Sequence, residues 1–148
     1  MIINESLVDL NVKQKTKEEV IRYLTELAIK EGRVNEAEKY VEAVLNREKE
    51  YSTGMGFGIA IPHGKSSAVI EPFLCFGKVD SVEWKSLDGN PVNMVFMIGV
   101  PEEAGNAHLK ILANISRKLM KQDFREELMK IESSSGLMEF LLKSELGI

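Results

Sequence analysis

Residues 92–100, Val-Asn-Met-Val-Phe-Met-Ile-Gly-Val, form an almost unbroken apolar run. A bilayer span needs about 20 such residues, so the run is far too short to cross a membrane. Its length suits a central strand covered on both faces. The chain supplies further strand patterns and several helical ones around it, which predicts an α/β fold: a mixed sheet of about five strands flanked by helices on both faces. With 148 residues, 44% of them hydrophobic, the chain can bury one sizeable core and is too short to divide. A single domain over residues 1–148 is expected.

In residues 6–12, Val8, Leu10 and Val12 alternate with Asp9 and Asn11, as in a half-buried strand. Thr16 to Glu19 forms a capping box, and Val20, Leu24, Leu27 and Ala28 continue at helical spacing to a stop at Gly32. Asn35 to Glu38 repeats the device before the stripe Ala37, Tyr40, Val41, Val44, Leu45, which should end near residues 47–50. Gly54, Gly56 and Gly58 then break the helix as a loop, residues 59–61 read as a short strand, and Pro62 stops it. Residues 73–79 form another strand, continued after a turn by 82–84, and residues 87–91 are a turn by composition. A helix is expected over about 107–121 with Leu109, Leu112, Ile115 and Leu119 inward. A third capping box, Asp123 to Glu126, starts a short helix, and residues 137–142 form a last one.

Charge and composition remove several classes of function. Nineteen basic against 23 acidic residues, a net charge of -4, leave no basic patch for nucleic acid. The first ten residues contain Asn4, Glu5 and Asp9, unlike a signal peptide, so no membrane insertion and a cytoplasmic location are expected. One cysteine excludes a disulfide within the chain, and with only two histidines no metal site and no cofactor are expected. Cys75 lies in an apolar strand, where cysteine is usually an inert small hydrophobe.

The candidate chemistry lies in residues 52–65, Ser-Thr-Gly-Met-Gly-Phe-Gly-Ile-Ala-Ile-Pro-His-Gly-Lys. A glycine-rich loop feeds a strand whose carboxyl end offers His63 between Pro62, which stiffens the backbone, and Gly64, which has no side chain to obstruct an incoming group. An ordinary loop histidine would have the same neighbours, because Gly and Pro also mark plain turns. His108 falls in the first turn of the later helix, where free amides favour an anion. Arg47 ends the second helix, where it can bind phosphate oxygens or simply complement the helix dipole. Glu48 beside it reads as a solvated or structural partner. Ser52 and Thr53 can bond phosphate or cap the loop. Met55 and Phe57 form either a docking surface or packing beneath the loop.

Residues 52–65, together with Asn46-Arg47-Glu48 and Asn106-Ala107-His108-Leu109, strongly resemble the signature of enzyme IIA domains of the bacterial phosphoenolpyruvate-dependent sugar phosphotransferase system, fructose/mannitol type. The resemblance covers essentially the whole chain. It implies a phosphotransferase component in which His63 takes a phosphoryl group from the carrier protein HPr and hands it to a cysteine of an enzyme IIB on a separate chain, during uptake of a fructose-like sugar. His108 and Arg47 match the family's second active-site histidine and its arginine, expected to stabilise the phosphoryl group without metal. The family also has a nitrogen-regulatory branch with a closely similar site, whose members act as phosphorylation-state signals.

Overall fold

The apolar run becomes β6 (Val92–Pro101), the centre of the sheet, with Val92, Val95, Met97, Ile98 and Val100 fully buried. The computed structural model describes residues 1–146, the side chain of Ala107 excepted. The predicted domain limit at residue 148 lies outside the described residues. Around β6 the elements follow as β1 (Val8–Asp9), α1 (Lys17–Lys30), α2 (Ala37–Glu50), β2 (Gly54–Gly56), β3 (Ile59–Ala60), β4 (His63–Ser66), β5 (Phe73–Val82), α3 (Ala107–Leu119), α4 (Gln122–Lys130) and α5 (Ser134–Lys143). The sheet has six strands in the order β1-β5-β6-β3-β2, with β4 also on β6. β5 pairs antiparallel with β6, while β3 and β4 follow one another in parallel along its other edge.

Strand alternation assigns the helices to faces. Gly77, Gly99 and Gly64 present one face, where an added Cβ would meet Leu24 of α1, Tyr40 of α2 and Val44 of α2 respectively. The other face takes the C-terminal helices: Lys78, next to Gly77, donates to the carbonyls of Met129 and Ile131 at the end of α4. Tyr40 is buried against Phe73 and donates its hydroxyl hydrogen to the Ile98 carbonyl at 2.8 Å, so its one polar atom is satisfied inside the core. Among the described residues no helix is long and apolar enough to cross a membrane.

The first helix starts and stops as its sequence predicts. Thr16 accepts from the Glu19 amide, and Gly32, at φ 72°, lets the Arg33 amide reach back to the Ala28 carbonyl. Other expectations need correction. At α2 no side chain caps the N-terminus: the Asn35 amide bonds to the Ala68 carbonyl, tying that residue to a neighbouring segment, and Glu38 pairs with Arg22 instead. At α4 the helix begins at Gln122, so Asp123 lies inside the first turn and accepts only from the Phe124 amide. Leu109 is 51% exposed, because the inward stripe of α3 runs through the half-buried His108 to Leu112, Ile115 and Leu119. Residues 73–82 are one strand with an irregularity before Val82 rather than two, and residues 54–66, read as a loop and one strand, hold three strands.

Gly99 lies at a close approach of helix and sheet. A Cβ there would lie 2.3 Å from Cε1 of Phe73 and 2.9 Å from Cε1 of Tyr40. Gly99→Ala should therefore cost about 1–3 kcal/mol through overpacking. The expected reading is a lower urea midpoint with unchanged slope; a wild-type midpoint would show that both rings can move aside.

Candidate active site

His63 opens β4, opposite Ile98 of β6. Because Gly64 faces α2, alternation turns His63 to the other face, towards α3. Pro62 interrupts the edge strand between β3 and β4. At this break the Ile61 carbonyl pairs at 3.0 Å with Nδ1 of His63, which must therefore carry the proton. In the neutral ring Nε2 then holds the free lone pair. The His108 ring lies across from it, with centroids 6.1 Å apart, and its own Nδ1 is buried without a partner among the described residues. Lys65 donates to the Gly105 carbonyl at 2.5 Å and so ties the start of α3 to β4.

Arg47 reaches this region from the last turn of α2. Its Nη1 donates to the Tyr51 carbonyl at 2.8 Å, and the guanidinium stands 4.5 Å from the centre of the Tyr51 ring. A cavity of about 200 Å³ lies between Arg47, Tyr51, Met55, Ile61, His63 and Leu87. The structure thus brings His63, His108 and Arg47 to one place. Ser52 and Thr53 also line this cavity, with their hydroxyls engaged in the fold: Ser52 donates to the Trp84 carbonyl and accepts from the Gly54 amide, while Thr53 donates to Glu48 and accepts from Trp84.

Two expectations change in detail. Gly64 leaves room for Val44, 2.9 Å from where a Cβ would sit, and not for a group approaching His63. Met55 and Phe57 are separated by the hairpin: Met55 lines the His63 cavity, whereas Phe57, at the tip, stacks 3.9 Å from the Arg125 guanidinium beside α4. Tyr51 and Leu87 join the site without having been expected there. Tyr51 stands one helical turn beyond Arg47, a spacing that can signal contact. Leu87, 83% exposed, carries no such mark in the sequence.

Burial lowers the pKa of His63 most, and the nearby Arg47 charge adds to this against the opposing bond to Ile61. His108 is lowered by burial first, then by His63 and Lys65. Both folded values lie below the unfolded value of about 6.5, so the unfolded chain binds more protons just below that pH. The associated stability is complete above about pH 6.5 and is lost as pH falls through the folded values. Urea midpoints should fall between about pH 7 and about pH 5.5, and less steeply in the His63→Asn, His108→Asn double variant. An equal fall in that variant would assign the effect to other groups.

Residues 1–144 match the family described as "Phosphoenolpyruvate-dependent sugar phosphotransferase system, EIIA 2". The chain is 40% identical over 141 residues to the fructose-specific EIIABC component of Bacillus subtilis, covering 95% of this chain but only 22% of that protein. It is 40% identical over 136 residues to the fructose-specific EIIA component of Haloferax volcanii, covering 91% of this chain and 88% of the relative. Among solved structures, nitrogen regulatory protein IIA-Ntr from Neisseria meningitidis superimposes with a TM-score of 0.87 at 30% identity, covering 95% and 96% of the two chains. The mannitol enzyme IIA of Escherichia coli, in complex with phosphorylated enzyme IIB, gives 0.80 at 28% identity, covering 95% and 97%. The chain belongs to the EIIA type 2 family of the sugar phosphotransferase system and is a phosphotransferase component with a phosphohistidine intermediate.

Proposed function

We propose that His63 is the phosphorylated residue, that it is charged by phospho-HPr, and that it passes the group to a cysteine of an enzyme IIB on another chain. The uptake of a fructose-like sugar is the process served, residues 1–148 act as one EIIA domain, and the reaction runs in the cytoplasm. The observation that carries this reading is the bond from His63 Nδ1 to the Ile61 carbonyl, which reserves Nε2 for chemistry beside His108 and Arg47. The fructose-specific relatives favour the sugar class.

The chemistry is set by that tautomer. The Nε2 lone pair attacks phosphorus of the donor phosphohistidine, the donor N–P bond breaks, and its electron pair returns to the donor ring. Because Nδ1 keeps its proton, His63 in turn leaves as a neutral imidazole when a cysteine thiolate attacks the phosphorus. A neutral leaving group keeps the phosphoryl group mobile. Arg47 uses one N–H on Tyr51 and keeps others for phosphoryl oxygens, and His108 supplies a further polar contact. In-line positioning and charge stabilisation are what this transfer requires of a protein.

A second reading, a phosphorylation-state signalling protein, is favoured by the likeness to the nitrogen regulatory protein of Neisseria meningitidis. The two readings part after phosphorylation, at the fate of the phosphoryl group. Incubation with phosphoenolpyruvate, enzyme I and HPr should add one acid-labile phosphate by intact mass, and transfer to a fructose-type enzyme IIB should come next. Acceptance without onward transfer to any IIB would favour signalling. His63→Ala should abolish the label, and a persistent label would overturn the assignment of His63. His108→Ala should slow transfer by about 100-fold with the fold retained; a wild-type rate would confine His108 to a structural role.

A further inference from the structure

Glu48, the neighbour of Arg47, is buried, its side chain only 5% exposed. One carboxylate oxygen accepts from the Thr53 amide at 3.2 Å and from Lys17 Nζ at 3.0 Å; the other accepts from the Thr53 hydroxyl. Trp84 Nε1 donates to that same hydroxyl at 3.3 Å. Thr53 is thus held by both its main chain and its side chain. Its carbonyl accepts from the Ile61 amide at 3.1 Å, and the Ile61 carbonyl pairs with His63 Nδ1 at 3.0 Å. An unbroken series of contacts therefore runs from a buried carboxylate to the imidazole. A carboxylate so enclosed is strongly constrained, since leaving its donors would strand a charge in the interior.

We propose that Glu48, acting through Thr53, is a positioning residue for phosphoryl transfer: it holds the Ile61 peptide where its carbonyl keeps His63 in the Nδ1–H tautomer with Nε2 presented to the donor. The inference rests on the assignment of His63 above. An unconstrained histidine prefers the opposite tautomer, with the proton on Nε2 and no lone pair there. Loosening the Ile61 carbonyl therefore removes reactive rings without removing any group that touches phosphate.

The test uses protein labelled with ¹⁵N in its histidines, whose ring nitrogen signals report the tautomer, together with initial rates of phosphorylation at varied phospho-HPr. Wild type should show His63 as Nδ1–H. Glu48→Gln should show a mixture, and kcat should fall about 10- to 100-fold with KM nearly unchanged. Thr53→Val, which keeps the amide bond to Glu48 but lacks the hydroxyl, should do the same and serves if Glu48→Gln does not fold; Thr53→Ser should restore both readings. A merely structural role would lower the urea midpoint and leave the tautomer and the kcat of folded molecules unchanged. That result, or an Nε2–H ring in the wild type, overturns the proposal. Failure of the His63 assignment itself would show separately, as phosphate retained by His63→Ala.

Discussion

Gly64 and Gly99 face each other across β4 and β6, and both turn their empty side towards α2. No other residue type lets the helix lie so close, because a Cβ at either position would enter Val44 or the rings of Phe73 and Tyr40. The close approach carries α2 along the short β4, so the helix ends beside the histidine that β4 presents on its far face. Arg47 and Glu48, successive residues in the last turn, are thereby delivered to the same region with different tasks. Arg47 borders the cavity, while the Glu48 carboxylate is held by Lys17 and Thr53, with Trp84 donating to the Thr53 hydroxyl.

The electrostatics of the site stem from partial burial. His63 and His108 are both half-buried and both depressed, so at neutral pH they are a pair of neutral rings rather than a pair of cations. A strongly basic pocket would hold a phosphoryl group too firmly to release it. Here the fixed charge is Arg47, already engaged with Tyr51, while Lys65 is drawn to the Gly105 carbonyl. The arrangement suits brief retention and onward transfer.

Much of this was legible in the residues. The run at 92–100 suited a covered strand, and Thr16 and Gly32 marked the limits of the first helix by chemistry that acts locally. The region between α2 and β5 was harder. His-Gly-Lys-Ser shows no apolar alternation and becomes a strand only because β6 offers an edge, which is a tertiary effect. The hairpin β2-β3 turns at Phe57 and Gly58, both with positive φ; glycine suits that geometry, but phenylalanine does not announce it. The motif containing His63 was visible, whereas the proximity of His108 depends on how α3 crosses the sheet. Glu48 gave no sign of its burial, since glutamate is mostly exposed and its enclosing partners come from three other parts of the chain.

The interruption at Pro62 has a wider meaning. The Pro62 carbonyl still accepts from the Ile98 amide at 3.0 Å, so β6 is followed through the break, while Ile61 faces the other way and gives its amide to the Thr53 carbonyl. On that outer side the Ile61 carbonyl has the imidazole two residues on as its side-chain partner. A main-chain group on the outer side of an edge strand thus acts as a proton address, specifying which of two chemically similar nitrogens is left bare. A further strand paired at that carbonyl would leave the histidine free to choose.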